Sequence, residues 1–113
     1  MSGCLFCRVV AGEVPGDVVH ETDRTLAFRD IAPQAPTHVL VVPKDHHADV
    51  GALADADPSL VSEVFAAAVA VARAEGLTGG YRLVANTGDD GGQTVHHLHV
   101  HVLGGRGLSW PPG

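Results

Sequence analysis

The sequence predicts an α+β fold, in which an antiparallel sheet of about five strands packs beside one main helix and a short N-terminal helix. Two observations indicate this class. Several short β-prone runs are joined by short turns, and one long segment repeats its apolar residues at helical spacing. With 113 residues, the chain is expected to form a single domain spanning residues 1–113.

The first half of the chain holds three of the predicted strands. Residues 4–11 predict a short helix or a knuckle. Val18–Glu21 and Thr25–Arg29 are short β-prone runs separated by a polar turn, which is typical of a hairpin. Residues 31–37 contain two prolines and predict a loop. Residues 38–42 form a continuous apolar run that ends before a proline, which indicates a central strand.

The main helix is predicted after a loop or irregular turn over residues 46–56. Asp57 can cap a helix N-terminus and Pro58 is tolerated in the first turn, so the helix begins there. Gly76 is expected to end it. The apolar residues between these signals recur at three- and four-residue spacing and form one face: Leu60, Val61, Val64, Phe65, Ala68, Val71 and Ala72.

The last part of the chain predicts two strands and a tail. Residues 81–86 alternate well enough for a strand, and residues 87–92 form a loop rich in Gly and Asp. Residues 95–103 predict the final strand, and residues 104–113 a tail rich in Gly and Pro that contains the single Trp.

Composition excludes several classes of partner. No apolar run approaches the roughly 20 residues that cross a bilayer, and the N-terminus lacks the basic and apolar regions of a secretory signal. We therefore expect a cytoplasmic protein without a membrane partner. The net charge of −6 and the scattered Lys and Arg residues argue against a nucleic-acid surface. A small anionic ligand remains compatible, because a local pocket can override the overall charge.

Histidines provide the main functional clue, since four of the eight lie between positions 96 and 101. On a strand, His97, His99 and His101 share one face, about 6–7 Å apart, while the apolar residues between them face the core. Imidazoles titrate near neutral pH. The pattern is compatible with a metal site, with covalent catalysis by one imidazole assisted by its neighbours, or with partly buried core histidines.

The loop before this strand favours a phosphate ligand. Gly91 and Gly92 let the backbone approach a ligand closely, and their N–H groups can hold phosphate oxygens. Gln93 and Thr94 can donate hydrogen bonds to an oxyanion or leaving group, and Asn86 ends the preceding strand. Taken alone, the loop is equally compatible with a flexible hairpin turn.

Cys4 and Cys7 form a C-x-x-C pair near the N-terminus. Without a secretory signal, a disulfide is disfavoured. A thioredoxin-like pair follows a strand, which this position does not allow. Half of a zinc site fits better, and tetrahedral zinc then needs two more ligands, for which histidines are the candidates. The alternative is that both cysteines are small apolar residues.

The alternation of His and apolar residues over 97–103 resembles the signature of the histidine-triad (HIT) family. The resemblance covers nearly the whole chain and is closest to the Hint branch of that family. The segments that carry it are residues 26–31, 33–38, 42–44, 91–95, 103–106 and 110–113.

The resemblance implies a HIT-like α+β fold, a homodimer with joined sheets, and a hydrolase. Hint-type members cleave purine nucleoside 5′-phosphoramidates and acyl- or aminoacyl-nucleotides, and they release AMP or GMP without a metal in the chemistry. A dinucleoside polyphosphate hydrolase and a non-catalytic nucleotide-binding or interaction module are the alternatives.

The resemblance also implies roles for individual residues. His99 matches the nucleophile that forms a nucleotidyl-histidine intermediate, and His97, His101 and His38 match its catalytic neighbours. Further positions match the substrate site, which comprises the ribose-binding Asp30, the base-pocket residues Phe28 and Ile31, the phosphate-loop residues Asn86, Gly92, Gln93 and Thr94, and the tail residue Trp110.

In members of the family with this cysteine pair, the other zinc ligands are a His shortly after the Pro-Lys segment and the first His of the triad. These positions correspond to His46 and His97, with His47 as a possible substitute for His46. A site with four protein ligands has no open position, so the zinc is expected to be structural.

Overall fold

The computed structural model describes residues 3–113. It contains a five-stranded sheet in the order β1-β2-β3-β5-β4, in which every neighbouring pair is antiparallel. The predicted α+β fold with an antiparallel sheet is therefore confirmed. The elements are α1 (Leu5–Val10), β1 (Val18–Glu21), β2 (Thr25–Arg29), β3 (Thr37–Pro43), α2 (Val50–Ala56), α3 (Pro58–Ala74), β4 (Tyr81–Val84) and β5 (Val100–Gly104).

The two faces of the sheet are covered differently. On one face, α3 buries Val64, Ala68 and Val71 against residues of β3 and β5 that include Val39 and Val102. On the other face, a smaller cluster joins Phe6 of α1 to apolar residues of β2 and β3: Leu26, Phe28, Leu40 and Val42. This second face positions the site, because His38 precedes Leu40 by two residues and His101 pairs directly with Leu40.

Helix α3 begins and ends as the sequence predicts. The Asp57 side chain accepts a hydrogen bond from the Leu60 N–H, and Pro58 occupies the first turn. After the helix, Gly76 has a φ of +71°, a left-handed conformation that glycine adopts without steric cost. Among the described residues, none of the helices is both long enough and apolar enough to cross a bilayer.

The prediction of a loop over residues 46–56 was wrong for residues 50–56. Val50–Ala56 forms α2, so residues 3–113 contain a third helix in addition to the predicted two. Asp49 caps this helix by accepting a hydrogen bond from the Ala52 N–H at 2.8 Å, and Leu53 is its one buried residue. Seven residues with one buried side chain give no apolar periodicity, so the pattern could not reveal the helix.

Strand boundaries also differ from prediction. The strand expected over 95–103 begins only at Val100, because residues 95–99 are irregular. Within that segment, the Leu98 N–H donates to the His47 carbonyl at 2.7 Å instead of to a strand partner. His97 and His99 therefore do not lie on a regular strand face. Strand β4 ends at Val84 rather than at residue 86, and β3 is one residue longer at each end than predicted.

Candidate functional site

Four predicted metal ligands lie together beside α1. The ligand atoms of Cys4, Cys7, His46 and His97, here named the Cys/His cluster, are all within 4.8 Å of one another. The His46 and His97 Nδ1 atoms are 3.2 Å apart. His97 Nδ1 lies 3.3 Å from Cys4 Sγ and 3.5 Å from Cys7 Sγ, and Cys7 Sγ lies 3.4 Å from His46 Nδ1.

These separations fit a tetrahedral zinc ion. Typical Zn–N and Zn–S bonds place two nitrogen ligands about 3.3 Å apart and a nitrogen and a sulfur about 3.6 Å apart. The structure brings His46, and not His47, into the cluster. Cys4 and Cys7 are not joined by a disulfide. The residues present therefore fit a closed zinc site with four protein ligands.

His97 is held in the tautomer that a metal ligand needs. The residue is fully buried, and its Nε2–H donates to the Pro43 carbonyl at 2.9 Å. The proton therefore lies on Nε2, and Nδ1 directs its lone pair toward the cysteines. Burial is the main cause that lowers the pKa of His97, and the bond to Pro43 opposes this shift in part. Both the tautomer and the lowered pKa favour the neutral imidazole that binds metals.

His99 is held in the opposite tautomer. Its Nδ1–H donates to the carbonyl of His97 at 2.8 Å, so the lone pair is on Nε2. The ring is 7% exposed, and the edge of the Phe6 ring packs against it with the centroids 5.0 Å apart. His99 also lines the large pocket described below. In the neutral ring, this oriented nitrogen lone pair at a pocket is suited to nucleophilic attack.

His38 and His101 form a hydrogen-bonded relay, here named the histidine relay. The backbone N–H of Gln34 donates to His38 Nδ1 at 3.0 Å, which places the proton of a neutral His38 on Nε2. That Nε2–H donates to His101 Nδ1 at 2.9 Å. His101 therefore carries its own proton on Nε2. Burial of His101 in the first place, and then the neighbouring His99 and His38, lower its pKa to about 4, so it is neutral at pH 7.

Asp30 extends the relay toward the pocket. Its Oδ1 accepts a hydrogen bond from the Ala32 N–H at 2.8 Å, and its Oδ2 lies 3.4 Å from His38 Nε2. Burial lowers the pKa of His38, and the charge of Asp30 opposes that shift. Asp30, His38 and His101 are close enough to share a cation. However, the bond from Gln34 keeps a proton on His38 Nε2, the atom that would have to bind the cation.

An apolar pocket of about 760 Å³ opens beside these histidines. The predicted site residues Phe28, Asp30, Ile31 and Thr94 line it together with His99 and His101. Phe28 is buried, whereas Ile31 is fully exposed at the rim. The volume is within the range of pockets that hold small molecules. The rest of the lining consists of Gly16, the charged Asp17 and Arg29, and apolar residues: Leu5, Phe6, Val9, Val14, Pro15, Leu40 and Val95.

The remaining predicted substrate residues lie outside this lining. The buried Gln93 side chain is occupied within its own loop: it accepts from the Gly88 N–H and donates to the carbonyls of Ala48 and Val95. Gly92 is exposed with a φ of +81°. Asn86 is half-buried just after β4, and the Trp110 side chain is 82% exposed in the tail.

Phe6 is the residue that sequence reasoning missed. Its ring contacts Phe28, His97 and His99, with centroid separations of 5.4, 6.1 and 5.0 Å. The C-x-x-C pattern is defined by its two cysteines and assigns no role to the residues between them. A large aromatic residue inside a C-x-x-C pair is the signal that could have identified it.

This arrangement defines a class of α+β protein in which histidines with opposed tautomers lie between a Cys/His cluster and an apolar pocket. Comparison with known proteins assigns that class to a family. The model of the HIT domain matches residues 11–108. The chain belongs to the histidine-triad (HIT) family.

Individual relatives agree with the family assignment. An uncharacterised HIT-like protein of Synechococcus elongatus is 50% identical over 109 residues, which cover 96% of each chain. A protein of Zea mays described as a 14 kDa zinc-binding protein is 46% identical and is matched over 99% of this chain and 89% of its own. The crystal structure of a HIT family hydrolase from Legionella pneumophila superposes with a TM-score of 0.94 at 51% identity, over 98% of this chain and all of the other.

Proposed function

We propose that this chain is a nucleotide hydrolase of the purine nucleoside phosphoramidase type. The substrates are purine nucleoside 5′-monophosphates with a P–N, acyl-phosphate or aminoacyl-phosphate bond, and the products include AMP or GMP. One observation carries the proposal: the Nδ1–H of His99 is bound to the His97 carbonyl, so in the neutral ring the Nε2 lone pair is directed away from that bond and is available at the pocket. Relatives described as a hydrolase and as a histidine triad nucleotide-binding protein support the ligand class.

The proposed reaction has two displacements at the α-phosphorus. His99 Nε2 attacks phosphorus, the P–N bond breaks, and the amine leaves with one proton taken from solvent; the water that attacks in the second step returns one proton to solvent. Water then attacks the nucleotidyl-histidine, which releases the nucleoside monophosphate and returns the electron pair to Nε2. The Nε2–H of the neutral His101, set by the histidine relay, donates a hydrogen bond to a phosphate oxygen in both steps. His97 fixes the orientation of His99 through its carbonyl.

The pocket supplies the remaining contacts in this proposal. Asp30 accepts hydrogen bonds from the ribose hydroxyls, and Phe28 and Ile31 hold the base. Thr94 donates to the phosphate. Asn86 and Gly92 are the further phosphate contacts of this proposal, and Gln93 shapes the loop through its internal hydrogen bonds.

Zinc has a structural role in this proposal. When bound, it links α1 to the loop after β3 and to the segment before β5 through the Cys/His cluster. The Zea mays relative is described as zinc-binding, which supports the choice of metal.

A second copy of the chain is the proposed partner. Strand β4 is last in the sheet order, so in residues 3–113 its outer edge has no partner strand. Tyr81 on this strand is 40% exposed. Pairing of two β4 edges joins the sheets of a homodimer and allows Trp110 to reach the other pocket. Analytical ultracentrifugation tests this, and a monomer at micromolar concentration would contradict it. A single domain over residues 1–113 and a cytoplasmic location remain predictions.

Turnover of adenosine 5′-phosphoramidate by the wild type and by His99→Ala tests the activity. We expect the variant to lose several orders of magnitude in kcat, since it lacks the attacking nitrogen. His96→Ala is the matched control, because His96 is exposed and adjacent in the chain. If the folded wild type binds AMP without turnover, the proposal fails. Assays with a diadenosine polyphosphate then separate the related hydrolase from a binding module.

A further inference from the structure

Helix α1 belongs to two sites at once. Cys4 and Cys7 supply ligands of the Cys/His cluster at its N-terminal end. Leu5, Phe6 and Val9 form a wall of the large pocket. A change in the position of this helix therefore alters both sites.

The helix is too short to hold its position alone. It has six residues, and isolated helices below about 12 residues are marginal in water. Its backbone hydrogen bonds outside the helix are local, from residues such as Glu13 and Val14 to the Arg8 carbonyl. Its long-range attachments include the packing of Phe6, Val9 and Val10 in and against the smaller core cluster and the contacts of its cysteines with His46 and His97. A metal bound by these four residues would add a further attachment, which joins the helix to the loop after β3 and to the segment before β5.

A second connection runs through the main chain of His97. Its Nδ1 belongs to the Cys/His cluster, while its carbonyl accepts the hydrogen bond from His99 Nδ1–H. His97 lies in the irregular segment before β5, so strand pairing does not fix this carbonyl. Phe6 also connects the two sites directly, since its ring contacts both His97 and His99. A ligand on His97 therefore stabilises the orientation of His99.

We infer that zinc in the Cys/His cluster is a positive effector of nucleotide binding in the large pocket, so that the two ligands bind cooperatively. The inference rests on the proposed function for the identity of the nucleotide. Zinc orders the α1 wall and the His97 carbonyl, and a nucleotide bound to the ordered pocket no longer bears that ordering cost. Because coupling is reciprocal, AMP must tighten zinc binding by the same factor.

The test measures the effect of zinc on AMP binding and the effect of AMP on zinc binding. Isothermal titration gives the Kd of AMP for the zinc-loaded and chelator-treated protein, and competition with a chromophoric chelator gives zinc affinity with and without AMP. We expect AMP affinity to rise roughly 5- to 100-fold with zinc, the usual range of such coupling, with an equal factor in the reciprocal arm. Equal AMP affinities in both forms overturn the inference, and the reciprocal measurement must return the same factor, so it serves as the check on the titrations.

A variant pair tests the route. Phe6→Leu keeps all four metal ligands and an apolar side chain but removes the ring edge against His99, so we expect full zinc occupancy with a smaller coupling factor. Arg8→Lys is the matched control on the same helix, because Arg8 is neither a ligand nor part of the pocket lining. Its coupling factor should equal that of the wild type. A Phe6→Leu factor as large as that of the control overturns the route through Phe6.

Two readouts need no nucleotide, so they separate failure of this inference from failure of the proposed function. Chelation should raise amide exchange in Phe6 and Val9, and nitrogen-15 shifts should show a loss of the single His99 tautomer. The amides of Val39 and Val41 in β3 should stay protected. If AMP binds neither form, the proposed function fails and these readouts decide the inference. The inference is overturned if chelation leaves amide exchange in α1 unchanged. It is also overturned if chelation unfolds the whole sheet, because zinc would then be a determinant of the global fold.

Discussion

His97 and His99 are two residues apart and have opposite chemistry. The Nε2–H of His97 donates a hydrogen bond to the Pro43 carbonyl, and its Nδ1 faces the cysteines. The Nδ1–H of His99 donates a hydrogen bond to the His97 carbonyl, and this leaves Nε2 for the pocket. The side chains are chemically identical, so the backbone acceptor of each ring decides whether it suits a metal or a phosphorus atom.

The largest expected effects come from the alanine variants of these two histidines, because each variant should lose a different property. His99→Ala should lower turnover of adenosine 5′-phosphoramidate by at least about 1,000-fold, because the nucleophile is gone, while zinc content stays at one ion per chain. His97→Ala should lose zinc, because a buried ligand is removed. Atomic emission and steady-state kinetics measure the two quantities. The comparison breaks if His99→Ala loses zinc as His97→Ala does.

The sequence could predict the elements whose pattern is periodic. Helix α3 followed from its apolar spacing with Asp57 and Gly76 at its ends, and the hairpin followed from two β-prone runs around a turn. The histidine motif correctly grouped residues that lie together, although the strand that was expected to align them is absent over 95–99. Their proximity instead comes from long-range bonds such as that from Leu98 to His47, which no local pattern encodes.

Other parts of the site could not be predicted because they depend on tertiary partners. The tautomers follow from carbonyls and amides distant in the sequence, such as Pro43 for His97. The use of Gln93 as an internal brace depends on the Ala48 carbonyl, which is 45 residues away. The pocket wall formed by α1 depends on how Phe6 packs against Phe28.

The second prediction concerns His101, whose pKa is lowered to about 4 from 6.5. At His101 the unfolded chain binds more protons between these values, so the contribution of this residue to the free energy of unfolding is fully present above pH 6.5 and is lost as the pH drops to about 4. The loss attributable to this residue is up to about 3 kcal/mol. Urea denaturation across this range measures it, and the wild-type curve is compared with that of His101→Gln at equal zinc content. A parallel pair of curves would contradict the assignment.

The third prediction extends the comparison to the neighbours Gln93 and Thr94. Gln93→Ala leaves the Gly88 N–H and the Ala48 carbonyl without their partner, so we expect the free energy of unfolding to fall by about 1–3 kcal/mol. Thr94→Ala removes an exposed side chain at the pocket, so stability should change by less than about 0.5 kcal/mol while KM or kcat worsens. Equal stability of the two variants would show that the brace is not needed.

The smallest expected effect lies at the cap of α2. The carboxylate of Asp49 accepts a hydrogen bond from the Ala52 N–H, and this cap follows the zinc-ligand loop by only a few residues. Asp49→Ala should therefore lower stability by about 1 kcal/mol. Asp45→Ala is the control, because Asp45 is exposed in the same loop and caps no helix. Zinc affinity should weaken in the first variant alone, since His46 is the exposed ligand of the Cys/His cluster and depends most on its loop. If zinc affinity is unchanged, the cluster is held by the buried His97 and by α1. The two histidine ligands then differ in their contribution to zinc affinity as well as in burial.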